Sequence, residues 1–274
     1  MLSHMLMWLE ALGAGLVMCA GLWAGRWWAR RAWPRWLIGY ALPIGTVFAV
    51  GLARRSDTIA DLAPVAWLLG HRVDFWLLGA ALPMVFATLV PHLSTGRLKV
   101  LMSILGTLVC VPYVILPFVQ PALYEAGFRA GKTELDRDGV CLQSQAFTCG
   151  PAASVTILRR LKIVAEEGDL AIRCRTSGSS GTPTPVLLWV LNERYSSEGV
   201  RVTYRNFDTV EQLAAAGPAV VSLKHRVMVD HFVAVLEITP TSVVIGDPLV
   251  GKRILTRPEF TALWRHTGLV FARS

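Results

Sequence analysis

The chain has 274 residues, of which 53% are hydrophobic and only 17% charged, with a net charge of +8. This is too apolar for an ordinary soluble protein. The positive excess sits in short arginine clusters between apolar runs, as membrane loops do, which argues against nucleic acid as the partner of a basic chain. Residues 1–119 hold nine Lys/Arg against four Asp/Glu, whereas residues 120–274 hold eighteen against fifteen. The first part therefore reads as a transmembrane helical region whose partner is the lipid bilayer.

Four segments are long and apolar enough to span a bilayer: roughly 6–25, 36–53, 75–92 and 100–119. Trp8, Trp23, Trp27, Trp28, Trp33 and Trp36 crowd the ends of the first two, as an interfacial aromatic belt would. In the first span the basic residues follow the apolar run, and no small-residue cleavage site appears, so a retained span is expected rather than a signal peptide. The run from Ile59 to Gly70, with Asp61 and Pro64, is too short to cross alone and reads as an interfacial or re-entrant piece. Arg26, Arg30, Arg31 and Arg35, with Arg97 and Lys99, would face the cytoplasm. Arg54, Arg55, Arg72, Arg129, Lys132 and Arg137 would then lie outside. The two sides carry equal numbers, and the density of the first loop places the C-terminal domain outside the cytoplasm.

Residues 120–136 form a linker, with Gly and polar residues continuing to Gly139, and residues 137–274 are long enough for a domain with its own core. Thr148 is positioned to cap a helix that starts at Cys149 or Gly150, with Pro151 in its first turn. Ser177 to Pro183 is a Ser/Gly/Thr-rich loop. A second helix follows, capped by Thr184 and running to about Tyr195. Asp208 and Glu211 read as the capping box of a short helix that ends near Gly217. The strand-like segments are Val200–Tyr204, Ala219–Leu223, Phe232–Ile238, Val243–Ile245 and Leu269–Phe271. Helices precede a mostly antiparallel sheet, so the domain is α+β.

Cys149 at a helix N-terminus is chemically useful, because the unpaired N–H groups and the helix dipole favour the thiolate, the nucleophilic form. Most cysteines beside Gly-Pro-Ala-Ala are only small buried residues, so the assignment depends on company. Gln143, six residues upstream, can donate to a developing oxyanion. His231 opens an alternating strand, and Asp247 closes the next one in Gly-Asp-Pro. His225 competes as the base, but it lies between Lys224 and Arg226, where protonation is disfavoured. No CxxC or Cys/His spacing suggests a metal site, and no cofactor is expected. Ala126 to Thr133 matches a phosphate-loop pattern only loosely, because no strand precedes it.

Together, Gln143, Cys149-Gly-Pro-Ala-Ala153, His231-Phe-Val-Ala-Val235 and Asp247-Pro248 with Gly251 resemble the bacteriocin-processing, double-glycine-leader cysteine peptidases. The closing Pro258-Glu-Phe260 with Trp264 resembles them too. The resemblance covers about residues 137–272. It implies a papain-like fold in which Cys149 is the nucleophile, His231 the general base, Asp247 its orienter and Gln143 the oxyanion donor. The implied activity is hydrolysis of a peptide bond in a protein or leader-peptide substrate, at a bacterial cytoplasmic membrane. Two departures stand out. The domain follows the spans instead of preceding a transporter core, and Thr148 replaces the acidic residue common before the nucleophile. The first leaves room for a non-catalytic peptide-binding module serving a separate transporter. Acyl transfer from the same cysteine is a further alternative.

Two expectations follow for the geometry. If the domain is outside, Cys141 and Cys174 become candidates for a disulfide. The hairpin carrying His231 and Asp247 should have an odd-numbered loop or an equivalent bulge, such as one at Gly246. A two-residue turn at Pro240–Thr241 alone would pair Ala234 with Asp247 and leave His231 on the opposite face.

Overall fold

The computed structural model describes residues 2–60, 62–226 and 229–273. It divides into two compact units, Met1–Leu123 and Tyr124–Ser274. The first holds α1 (Leu2–Ala29), α2 (Ile38–Arg55), α3 (Asp57–Ala60), α4 (Ala63–Gly70), α5 (Val73–Leu89), α6 (Gly96–Cys110) and the first half of α7 (Leu116–Ala130). Four helical stretches, His4–Ala29, Arg35–Arg55, Val73–His92 and Gly96–Ala130, are long and apolar enough to cross a membrane. Asp61 of the short Ile59–Gly70 run lies outside the described residues.

Within the first unit α5 packs against α1 and α2. The spacing Gly21-x-x-x-Gly25 lets α1 approach α5 closely, since a Cβ at Gly21 would stand 2.3 Å from the Ala80 carbonyl oxygen. Large apolar side chains such as Leu16, Phe48 and Leu108 are exposed, as suits helices solvated by lipid. Two arginines counted as loop charges are paired instead. Arg54 contacts Asp74 at 2.5 Å and Arg72 lies 3.5 Å from Glu10, while Arg72 also donates to the Pro117 carbonyl at 2.6 Å.

The second unit begins inside α7. Residues 120–130, expected as linker, are helical, so a linker can begin only after Ala130. The helix passes Pro121 and Gly127 because a proline removes one N–H without removing the helix's other bonds. The chain continues through β1 (Glu134–Leu135), β2 (Cys141–Leu142), α8 (Cys149–Arg160), α9 (Glu167–Arg173), α10 (Thr184–Tyr195), β3 (Val200–Asn206) and α11 (Val210–Ala216). It ends with β4 (Ala219–Arg226), β5 (Val229–Ile238), β6 (Ser242–Asp247), β7 (Gly251–Thr256), α12 (Arg257–Leu263) and β8 (Trp264–Arg273).

The six larger strands form one sheet in the order β3-β8-β4-β5-β6-β7, every pair antiparallel. Alternation along the strands makes two cores. Ala152, Val155, Leu158, Leu187 and Leu191 of α8 and α10 pack with Val220, Ala234, Leu269 and Phe271. Leu213, Phe260 and Trp264 cover Val221, Val233, Val243 and Ile245. The domain is thus α+β, as the sequence predicts.

Three helix starts differ from expectation. Thr148 occupies the cap position of α8, but its hydroxyl bonds Gln145 instead of the helix amides. Its ψ of 20° is far from the extended conformation that aims a cap side chain at the first turn. Thr184 is the first helical residue of α10, with Pro183 before it. The cap of α11 is Thr209, which accepts from the Gln212 amide, while the Gln212 side chain accepts from the Asp208 amide; Glu211 takes no part in that pair.

Candidate active site

Cys149 is the first residue of α8 and is partly exposed. In an α-helix the opening N–H groups have no acceptor within the helix, and here the Thr148 hydroxyl is turned back to Gln145. The amides at the head of α8 therefore remain available to a negative charge beside the sulfur.

His231 and Asp247 meet across β5 and β6. His231 Nε2 lies 2.8 Å from Asp247 Oδ1, and both side chains are buried. The register explains how. The hairpin turns at Pro240–Thr241 with Ile238 opposite Val243, but Leu236 is an extra, unpaired residue between Val235 and Glu237. Pairing therefore shifts to Val235 opposite Ile245 and Ala234 opposite Gly246. Val233 then faces Asp247, and His231, two residues on, shares that side of the sheet. The required bulge is present, at Leu236 rather than Gly246.

Asp247 has more partners than the sequence suggested. Oδ1 also accepts from the Leu249 amide at 3.0 Å, and Oδ2 accepts from Arg253 Nη1 at 2.9 Å. Arg253 comes from β7, an edge strand missed in the sequence because its side chains are mostly exposed. It stands opposite Ile245, so the imidazole of His231, the carboxylate of Asp247 and the guanidinium of Arg253 occupy three neighbouring strands on one face. The Asp-Pro-x-x-Gly turn could have revealed it: Gly251, at φ 88°, closes a three-residue loop opposite Asp247.

The electrostatics follow from these contacts. Burial favours protonated Asp247, but hydrogen bonds from His231, Leu249 and Arg253 outweigh it and hold the carboxyl at about 2. Burial would likewise favour neutral His231. Hydrogen bonds to Asp247 and Cys149, with the charges of both, instead raise the imidazole to about 9. His231 Nε2 is committed to Asp247, which leaves Nδ1 for the sulfur. The arrangement can hold a thiolate–imidazolium pair. His225 is exposed, with its ring centroid 5.5 Å from that of His231.

Gln143 is fixed by its backbone N–H, which donates to the Pro248 carbonyl at 2.9 Å, immediately after Asp247. Its Nε2 donates to the Gln145 carbonyl at 2.8 Å, which leaves a second N–H for another acceptor. Among the described residues its buried Oε1 has no hydrogen-bond partner. Cys141 and Cys174 are buried and not joined by a disulfide, and burial pushes the Cys141 thiol to about 12. No group of three or more His, Cys, Asp and Glu side chains among the described residues could hold a metal ion.

A family model described as the peptidase C39 family matches residues 137–274. The chain belongs to the peptidase C39 family. The resemblance carried by the Cys149, His231 and Asp247 segments thus holds for the family, and the second unit is its papain-like α+β domain. Among curated relatives, an uncharacterized protein of Methanothermobacter marburgensis is 27% identical over 142 residues, covering 52% of this chain and 94% of that protein. An uncharacterized protein of Methanothermobacter thermautotrophicus is 23% identical over 146 residues, covering 52% and 93%. Two solved peptidase structures are similar to it. One is a double glycine motif protease from an AMS/PCAT transporter in complex with the leader peptide, with 20% identity, a TM-score of 0.42 and coverage of 53% of this chain and 95% of that one. The other is the peptidase domain of Streptococcus ComA, with 16% identity, a TM-score of 0.42 and coverage of 48% and 96%.

Proposed function

We propose that this C39 protein is a membrane-anchored cysteine peptidase that hydrolyses a peptide bond in a protein or leader-peptide substrate. The observation that carries the reading is the buried 2.8 Å contact between His231 Nε2 and Asp247 Oδ1, with His231 also interacting with Cys149. In this reading the Cys149 thiolate attacks the scissile carbonyl carbon and forms a tetrahedral oxyanion. The oxyanion accepts hydrogen bonds from the free N–H of Gln143 and the opening amides of α8. Collapse breaks the C–N bond, and the imidazolium of His231 gives its proton to the departing amine. Neutral His231 then takes a proton from water as that water attacks the thioester; collapse breaks the C–S bond, releases the carboxylic acid and returns the thiolate–imidazolium pair.

Asp247 keeps the imidazole turned so that Nδ1 meets the sulfur, and it stabilises the charged ring. N-terminal peptide profiling of membranes carrying wild-type or Cys149→Ala protein tests the reading. Loss of a defined set of cleavages in the variant is the expected result, and it would also identify the substrate. Identical profiles would sink the assignment.

The domain is proposed to lie outside the cytoplasm, anchored in a bacterial cytoplasmic membrane. The density of the basic cluster Arg26 to Arg35 supports this side. A reporter fused after Ser274 that is active only in the cytoplasm would overturn the topology.

A further inference from the structure

The family match begins at residue 137, yet the loop that leads to Cys149 rests on residues that precede it. Phe147, two positions before the nucleophile, sits against two rings of α7. Its ring centroid is 5.1 Å from that of Tyr124 and 6.4 Å from that of Phe128, the second contact edge-on. Tyr124 and Phe128 are one helical turn apart and contact each other at 6.2 Å. Aromatic contacts of this geometry contribute beyond the area they bury.

A second hold lies three residues upstream. Ser144 donates from both its amide, at 2.9 Å, and its hydroxyl, at 3.1 Å, to Glu167 Oε1. Glu167 is 2% exposed and opens α9. The position of α9 is in turn set by α7 and the chain just after it. The Glu167 amide donates to Thr133 Oγ1 at 2.9 Å, and a Cβ on neighbouring Gly168 would stand 2.2 Å from the Phe128 carbonyl oxygen. That approach admits only glycine. Segment 143–148 is therefore gripped at Phe147 by α7 directly and at Ser144 by α7 through α9. Between those points lie the turn that accepts Gln143 Nε2 and the Thr148 hydroxyl.

We propose that the last two turns of α7 are a positioning element of the active site. By holding Phe147 and Ser144, they keep Gln143 and the opening amides of α8 aimed at the reacting carbonyl and the sulfur. The helix whose first half belongs to the membrane unit is then part of the frame on which the thiol is activated. Tyr124, Phe128, Phe147 and Glu167 are positioning residues, since each acts through the 143–148 loop. The proposal rests on Cys149 being the activated nucleophile.

The test is site-resolved alkylation of the full chain in nanodiscs by iodoacetamide, followed by mass spectrometry across pH 5 to 10. Wild-type Cys149 should react at acidic pH far faster than an ordinary thiol. Phe147→Ala should slow it about tenfold at pH 6, because a loosened helix head no longer holds its opening amides beside the sulfur. Glu167→Gln should slow it less.

Buried Cys141 and Cys174 report on the fold in the same sample. If Phe147→Ala exposes them, the milder Tyr124→Leu replaces it, with the same direction expected. Variants that keep Cys141 and Cys174 protected and reproduce the wild-type pH profile would overturn the positioning role. A wild-type Cys149 with an ordinary thiol profile would instead overturn the peptidase reading beneath it.

Discussion

His231 reaches Asp247 because Leu236 is an extra residue in β5. The hairpin itself ends in a two-residue turn, which alone would set Ala234 opposite Asp247 and turn the imidazole to the other side of the sheet. One unpaired residue restores the parity. Deleting Leu236 should therefore abolish cleavage as completely as His231→Ala, with the far-UV circular dichroism of the domain retained. Cleavage that survives the deletion in a folded protein would show that His231 does not depend on this register.

Arg253 should matter more than its exposure suggests. It is 44% exposed at the side chain, so its pairing with Asp247 is partly screened by water. Its geometric effect is to occupy Oδ2 and hold the carboxylate with Oδ1 towards His231. Arg253→Gln should lower turnover about tenfold, an order expected for loss of an orienting contact. Arg253→Lys should recover part of that loss. Removing the cation should also shift the alkaline limb of the rate upwards, because His231 then faces a less neutralised carboxylate. An unchanged pH profile in the Gln variant would reduce Arg253 to a surface ion pair.

The pH dependence has a definite sign. His231 is raised from its ordinary 6.5 to about 9, so its contribution to stability is full below 6.5 and is lost as pH rises through about 9. Asp247 is lowered from 3.8 to about 2, so its contribution is present above 3.8 and is lost as pH falls through about 2. Turnover should fall on the alkaline side near 9, as the imidazolium that protonates the leaving amine disappears. Activity titrations and denaturant unfolding at stepped pH test both limbs, and His231→Ala should erase the alkaline step in stability.

Cys149→Ser should abolish turnover, since a hydroxyl lacks the readily ionised form of the thiol. Gln143→Ala should cost about a hundredfold in rate if its free N–H serves the oxyanion, the usual range for one such donor. Melting temperature should barely move, because the backbone N–H of Gln143 keeps its bond to Pro248. A normal rate for Gln143→Ala would remove it from that role.

What the sequence made legible was whatever carried a strong local signal. Four helices long and apolar enough to cross a membrane are evident from apolar length, and the start of α8 from Gly150 and Pro151. The strands with buried, alternating residues were readable for the same reason. The α9 helix, Glu167–Arg173, has only seven residues and is charged at both ends, so it offers no helical period to detect. β7 is an edge strand whose burial does not alternate, which hid Arg253. The grip of Glu167 on Ser144 joins residues 23 apart through tertiary packing alone. Leu236 shows the limit most clearly. It closes the apolar run Phe232–Leu236, just before Glu237, and an extra residue in such a run changes parity without changing the pattern.

β8 lies in the interior of the sheet, between β3 and β4, although it follows all the other described strands in sequence. A ribosome making this protein therefore releases Cys149, His231 and Asp247 before the strand that joins β3 to β4. Until Trp264–Arg273 emerges, β3 and β4 lack their shared neighbour, and Phe260 and Trp264 cannot complete the second core. Closure by such a distant pairing is a late and comparatively slow event. The thiol is thus synthesised more than a hundred residues before the scaffold that can arm it, and a nascent chain stalled short of β8 should carry all four site residues and cut nothing.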